Sequence, residues 1–175
     1  MKSGLIIIDQ DDRAIGTMDK LAAHKGGILH RAFSVFVFNS RGQLLLQQRA
    51  LDKYHSGGKW TNTCCSHPRP GEHTEAAANR RLFEEMGMEC ELNYQFKFIY
   101  RAEVDNGLIE YECDHVFFAT SDVLPVPDET EVAGYKYMDI DVLAAELLDN
   151  PTQYSAWLQI CFERVMDHYR QIFKN

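Results

Sequence analysis

Apolar residues recur along the chain with two different periods. Residues 4–9 (GLIIID), 29–39 (LHRAFSVFVFN) and 43–50 (QLLLQQRA) are dense in aromatic and branched aliphatic side chains, which predicts strands. SRG at 40–42 reads as a turn, so 29–50 is expected to be a hairpin. Residues 94–104 and 108–120 predict two more strands joined through Asp-Asn-Gly, a strong hairpin signal. A short strand is expected at 135–140. The helical period predicts a helix from about Glu75 to Met86, capped by Thr74 and ended by Gly87. Asn79, Leu82, Phe83 and Met86 form its stripe. A short helix is expected over 141–148 and a longer one from about Tyr154 to Phe173. On the latter, Trp157, Ile160, Cys161, Arg164, Val165, His168 and Ile172 share one mostly apolar face. Residues 52–59, the HPRPGEH stretch and the acidic stretch 121–132 read as loops. The order implies a mixed α/β domain with antiparallel hairpins.

At 175 residues the chain suits a single domain spanning 1–175 with a full-sized core. A net charge of −8 argues against nucleic-acid binding, while a few clustered Lys and Arg can still hold a small anion. GLIII is too short for a secretory signal and is followed by Asp9, Asp11 and Asp12. No apolar run approaches membrane-spanning length. Five irregularly spaced cysteines argue against a disulfide framework, so a cytoplasmic protein with reduced thiols is expected.

Candidate chemistry is concentrated in WTNTCCSHPRPGE, residues 60–72, where Cys64 and Cys65 precede His67. Structural zinc wants four closed ligands with spaced cysteine pairs, which adjacent cysteines do not supply. If 63–67 is extended, Cys65 and His67 share one face and Cys64 and Ser66 the other. Glu110 and Glu112, at i,i+2 on a predicted strand, share a face, and two like charges there repel unless a cation lies between them. His24 and His30 flank a Gly-Gly turn. Spacing alone does not join these segments. Cys113 falls on the face opposite Glu112 and reads as core, Cys90 and Cys161 read as packing residues, and His55, His73, His115 and His168 receive no role. On charges alone, the i,i+4 pairs Arg80–Glu84 and Arg81–Glu85 read as a solvated helix face.

The segment Glu72–Met88 nevertheless resembles a Nudix box. Glu72, then Arg80, Leu82, Glu84, Glu85, Gly87 and Met88 hold their places, with Ser66 replacing the first glycine and Arg81 the first helix glutamate. In that family helix carboxylates hold Mg²⁺ against a diphosphate. Losing the carboxylate at 81 disfavours hydrolysis while leaving diphosphate binding. AAH…LHRAF, QQRAL, WTNTCCSHP, RRLFEE and IEYECDHVF follow the order found in type I isopentenyl-diphosphate Δ-isomerases, and YSAWL matches their final helix. The chain therefore resembles that family from about residue 14 to 160.

This resemblance implies a Nudix-type α/β/α sandwich with mixed and antiparallel sheets. It implies an isomerase that transposes a C=C bond, turning isopentenyl diphosphate into dimethylallyl diphosphate through a tertiary carbocation in isoprenoid biosynthesis. His24, His30, His67, Glu110 and Glu112 match ligands of a site for Mn²⁺, Mg²⁺ or Zn²⁺. Glu85 matches a residue of a second, diphosphate-bridging Mg²⁺. Lys20, Arg49, Lys53 and Arg81 match the diphosphate clamp. Glu112 matches the proton donor, Tyr100 its neighbour, and Cys65 the thiol that takes the second proton, its thiolate favoured by nearby cations. Trp157 matches an indole facing the cationic carbon. The implied partner is a small allylic or homoallylic diphosphate, with the protein a monomer or weak homodimer. The alternative is a Nudix hydrolase cleaving a diphosphate-containing small molecule.

Overall fold

The computed structural model describes residues 4–174. Its elements are β1 (Leu5–Ile8), β2 (Ala14–Met18), α1 (Lys20–Gly26), β3 (His30–Phe38), β4 (Gln43–Arg49), β5 (Trp60–Thr61), β6 (Cys64–Ser66), α2 (Thr74–Met86), β7 (Asn93–Val104), β8 (Leu108–Thr120), β9 (Val132–Asp139), α3 (Ile140–Asp149) and α4 (Ala156–Phe173). No described helix is long and apolar enough to cross a membrane.

β3 is the organising strand. β8 runs parallel to it along its whole length, from His30 opposite Glu112 to Phe38 opposite Thr120. The β7–β8 hairpin forms as the Asp-Asn-Gly signal predicts, with Asn106 and Gly107 both at positive φ in the turn. The expected hairpin over 29–50 forms at its turn, where Asn39 N–H donates to the Gln43 carbonyl at 3.0 Å, but splays behind it. β3 and β4 meet only at Phe38 and Leu44. Further back, the same edge of β3 pairs with β6 through Phe33, Ser34 and Val35, and with β1 at His30. β4 turns away to pair with β9 and β5. The cause is a polar wedge, Asn62-Thr63. The Thr63 hydroxyl donates to the Leu45 carbonyl (2.6 Å) and accepts from the Val37 N–H (2.9 Å). Asn62 Nδ2 donates to the Val35 carbonyl at 3.1 Å, and Gln47 Nε2 to the Thr63 carbonyl at 2.7 Å. Backbone groups left open by the splayed strands are thus satisfied by side chains.

Strand alternation sends each face of β3 and β8 to a different helix layer, which makes the expected α/β/α sandwich. Phe33, Val35, Val37, Phe117 and Ala119 pack against Ala77, Ala78, Leu82 and Met86 of α2. Phe36, Phe38, Val116 and Phe118 pack with Leu143 of α3 and Leu158, Cys161, Val165 and Tyr169 of α4. Each buried Val, Leu, Phe or Met among them contributes roughly 1.5–3 kcal/mol.

Several local expectations shift. Phe83 is 57% exposed and Asn79 only half-buried, because the small Ala77 and Ala78 let α2 lie on the sheet along a neighbouring stripe. Thr74 is the first helical residue, and His73 occupies the N-cap position without a side-chain bond, while Gly87 ends the helix at φ 63 as expected. On α4, Ile160 and Ile172 are exposed, and the buried stripe rotates onto Leu158, Phe162, Met166 and Tyr169, where α3 covers it. β9 begins at Val132, inside the expected acidic loop. β2 and α1 were not expected. α1 is only seven residues long, too short for a helical period, but Asp19 caps it by accepting from the Ala22 N–H at 3.0 Å.

Candidate functional site

The face of β3 and β8 that packs on α4 changes character halfway along. Beyond Phe36 and Val116 it carries Ser34, His30, Asp114, Glu112 and Glu110, all buried. A cavity opens there, lined by Lys20, Phe33, Ser34, Arg49, Tyr54, His55, Cys65, Ser66, His67, Glu110, Glu112 and Trp157. Two of the expected ligands, His24 and His30, stand immediately behind it.

The histidine tautomers follow from their partners. Nδ1–H of His24 donates to the Lys20 carbonyl and Nδ1–H of His30 to the Ile28 carbonyl, each at 2.7 Å. A carbonyl can only accept, so in the neutral rings each Nε2 is bare and turned to the site. Nε2 of His30 and of His67 lie 3.2 and 2.7 Å from the same oxygen, Oε1 of Glu112. Nε2 of His24 is buried without a hydrogen-bond partner, 3.6 Å from Glu110 Oε1. Ligand atoms of His24, His30, His67 and Glu112 lie within 4.8 Å of one another. Burial and the charge of Lys20 hold His67 well below 6.5, hence neutral. Imidazole nitrogens turned to one point, buried carboxylates and an orphaned nitrogen suit a divalent cation.

Glu112 and Cys65, the two groups expected to handle protons, stand on strands at opposite edges of β3. On β8, burial would raise Glu112, but its contact with His30 and the hydrogen bond from the Tyr100 hydroxyl (2.7 Å) help hold it down at about 2. On β6, Cys65 Sγ accepts from Trp157 Nε1–H at 3.1 Å. The expected thiolate is not the resting form. Burial pushes the Cys65 thiol up to about 12; Arg49 pulls it down, while Glu85 adds to the rise. Cys64 turns the other way, fully buried in the core under α2. Extended geometry thus separates the two cysteines as expected, although Ser66 also reaches the cavity wall.

The four expected clamp cations divide into two pairs. Lys20 and Arg49 line the cavity. The Arg49 guanidinium lies 5.2 Å from the Trp157 ring centroid, and the Lys20 ammonium 5.0 Å from that of Tyr54. Lys53 and Arg81 instead meet at Glu131: Lys53 is ion-paired with it, and Arg81 lies 3.4 Å away while also bridging Glu84 (2.8 Å) and Glu85 (2.5 Å). Glu85 is buried, its second oxygen accepting from Gln47 Nε2 at 2.9 Å. The Nε donors of Arg49 and Arg81 are both buried without partners, as befits groups waiting for an anion.

Sequence reasoning missed three buried members. Asp114 accepts from the Ser34 hydroxyl at 2.7 Å, and burial together with Glu112 raises its carboxyl well above 3.8. Asn62 accepts from the Cys65 thiol at 3.5 Å. His55, given no role, is 4% exposed with Nε2 at 2.7 Å from Glu110 Oε1. No spacing relates His55 to Glu110, since the pair is joined only where the 52–59 loop folds over β8.

Comparison with known proteins agrees with this architecture. Residues 28–158 match the NUDIX domain. The chain resembles the DR0079 protein of Deinococcus radiodurans with a TM-score of 0.76 at 18% identity, covering 91% of this chain and 97% of that one. A MutT protein of Methanosarcina mazei gives 0.66 at 16% identity, with 80% and 94% covered. These likenesses concern the fold. In sequence, the isopentenyl-diphosphate Delta-isomerase of Pectobacterium atrosepticum is 50% identical over 171 residues, covering 98% of this chain and 95% of that protein. Isopentenyl-diphosphate Delta-isomerase 1 of Aromatoleum aromaticum is 51% identical, with 95% and 94% covered. Half of the positions are thus shared along nearly the full length of both proteins, and the chain belongs to the isopentenyl-diphosphate Delta-isomerase family, built on a Nudix domain.

Proposed function

We propose that this protein converts isopentenyl diphosphate to dimethylallyl diphosphate, supplying isoprenoid biosynthesis. The observation that carries this reading is the meeting in one cavity of Cys65 from β6 and Glu112 from β8. Moving a double bond by one carbon requires a proton added to one carbon and another removed from a neighbour. Glu112, hydrogen-bonded to Tyr100, delivers the first, and Cys65 receives the second. The pair shares one catalytic proton. Without a bound ion, burial keeps that proton on the Cys65 thiol while Glu112 is held ionised. Turnover in this direction ends in that state, so the proton returns to Glu112 before the next cycle.

Phe33, Tyr54 and Trp157 give the cavity its apolar wall, which keeps water from trapping a tertiary carbocation as an alcohol. The Trp157 ring adds cation–π attraction of about 0.5–2 kcal/mol. Lys20 and Arg49 hold the diphosphate, and Lys53 and Arg81 join them by exchanging carboxylates for phosphate oxygens. His24, His30, His67, Glu110 and Glu112 would hold a divalent ion, Mn²⁺, Mg²⁺ or Zn²⁺, and Glu85 a diphosphate-bridging Mg²⁺. When bound, such ions supply positive charge that strengthens Glu112 as an acid and neutralises the diphosphate. Arg81 disfavours plain diphosphate hydrolysis, because it already engages Glu84 and Glu85.

The test is incubation with isopentenyl diphosphate and Mg²⁺ in deuterated water. Dimethylallyl diphosphate carrying deuterium is expected. Release of phosphate or a monophosphate without isomer would instead make the protein a hydrolase.

A further inference from the structure

His55 is the strongest buried group left without a task. Its Nε2 lies 2.7 Å from Glu110 Oε1, the same oxygen that His24 Nε2 approaches at 3.6 Å. These residues form a second cluster of close ligand atoms beside the first. His55 differs from His24 and His30 in one respect. Its Nδ1 faces the Ser56 hydroxyl at 3.2 Å rather than a carbonyl. A hydroxyl can donate, so the ring is free to keep its proton on Nε2 and point it at Glu110.

The loop that carries His55 is pinned at both sides of it. Ser56 N–H donates to Asp105 Oδ2 at 2.8 Å, and Asn106 Nδ2 donates to the Tyr54 carbonyl at 2.9 Å. Both partners belong to the β7–β8 turn, so the loop is fastened to the hairpin that bears Glu110. The His55 carbonyl accepts from Arg49 at 3.2 Å, and its ring meets Trp157 edge-on, with centroids 6.1 Å apart.

We infer that His55 is a positioning residue of the metal cage: its Nε2–H holds the Glu110 carboxylate in the orientation that receives a divalent ion, without itself being a ligand. Groups that orient a ligand in this way typically contribute about 10–100-fold to metal affinity. The inference rests on reading the histidine–glutamate cluster as a metal cage, and the experiment separates the two. Mn²⁺ is titrated into the metal-free protein, followed by electron paramagnetic resonance of free Mn²⁺, for wild type, His55→Ala and His55→Gln. Far-ultraviolet circular dichroism checks that each is folded. Wild type is expected to bind, His55→Ala to bind about 10–100-fold more weakly, and His55→Gln, whose amide can still donate to Glu110, to recover most of the loss. The visible Co²⁺ spectrum of His55→Gln should match wild type. No Mn²⁺ binding by wild type would sink the cage itself. Wild-type affinity in a folded His55→Ala would sink only the role of His55. A changed Co²⁺ spectrum in His55→Gln would make His55 a ligand and overturn the positioning role.

Discussion

One face of β3 and β8 contains two regions that share backbone geometry and burial but not chemistry. From Phe36 to Phe38 and Val116 to Phe118 it is apolar and packs on α3 and α4. From His30 to Ser34 and Glu110 to Asp114 it is equally buried, yet crowded with carboxylates and imidazoles. The apolar half contributes stability by removing surface from water. In and beside the polar half, Asp114 Oδ1 and, on α1, His24 Nε2 are buried without partners, an arrangement that costs free energy. The fold thus uses one half of its central strands as an apolar foundation that carries the strained polar half.

That division predicts that mutations separate cleanly. Glu112→Gln and Cys65→Ala are expected to lower turnover by about 10²–10⁴-fold while leaving the urea midpoint close to wild type. Substantial turnover in either, measured by deuterium incorporation, would remove that residue from proton transfer. Phe118→Ala should do the reverse, costing about 3–5 kcal/mol of stability while folded molecules stay active. A stable but inactive Phe118→Ala would dissolve the distinction between the halves. Trp157→Phe keeps an aromatic face, smaller than indole, but removes the N–H bonded to Cys65. It should cost about 1 kcal/mol in kcat/KM, close to one hydrogen bond. Cys64→Ala, on the opposite face, should destabilise by about 1 kcal/mol and spare kcat.

The smallest effect concerns the back of the polar half. There Asp12 bonds Arg31 (2.7 Å), Lys97 (3.0 Å) and His115 (2.8 Å), tying the β1–β2 turn to the sheet. Burial opposes ionisation, but Arg31 and Lys97 outweigh it and hold Asp12 below 3.8. A carboxylate lowered in the folded state stabilises above its unfolded pKa, and that contribution is lost as pH falls through the folded one. Asp12→Asn should therefore cost about 1 kcal/mol at pH 7, with the difference from wild type shrinking below 3.8 in urea titrations. A difference that persists undiminished in acid would assign the loss to packing.

Much of this was legible before folding. The runs at 29–39, 94–104 and 108–120 are strands because their side chains suit half-buried pleats, and Asp-Asn-Gly specifies its turn locally. Gly87 ends α2 for the same local reason, since its φ of 63 suits a residue without a Cβ. The i,i+2 spacing of Glu110 and Glu112 placed both carboxylates on one face, and the extended run around Cys65 set its thiol apart from that of Cys64. The order of motifs pointed to the family.

Tertiary structure decided what local patterns could not. The hairpin at 29–50 splays because Asn62 and Thr63, distant in sequence, offer β3 and β4 other hydrogen bonds. The buried stripe of α4 rotates because α3 covers one flank. The Cys65 thiol rests protonated because burial outweighs nearby cations, and burial belongs to the whole fold. His55 joins Glu110 only once a loop is pinned to a distant turn. Short-range sterics and periodicity are written residue by residue, whereas desolvation and contacts between distant segments exist only when the chain has closed around them.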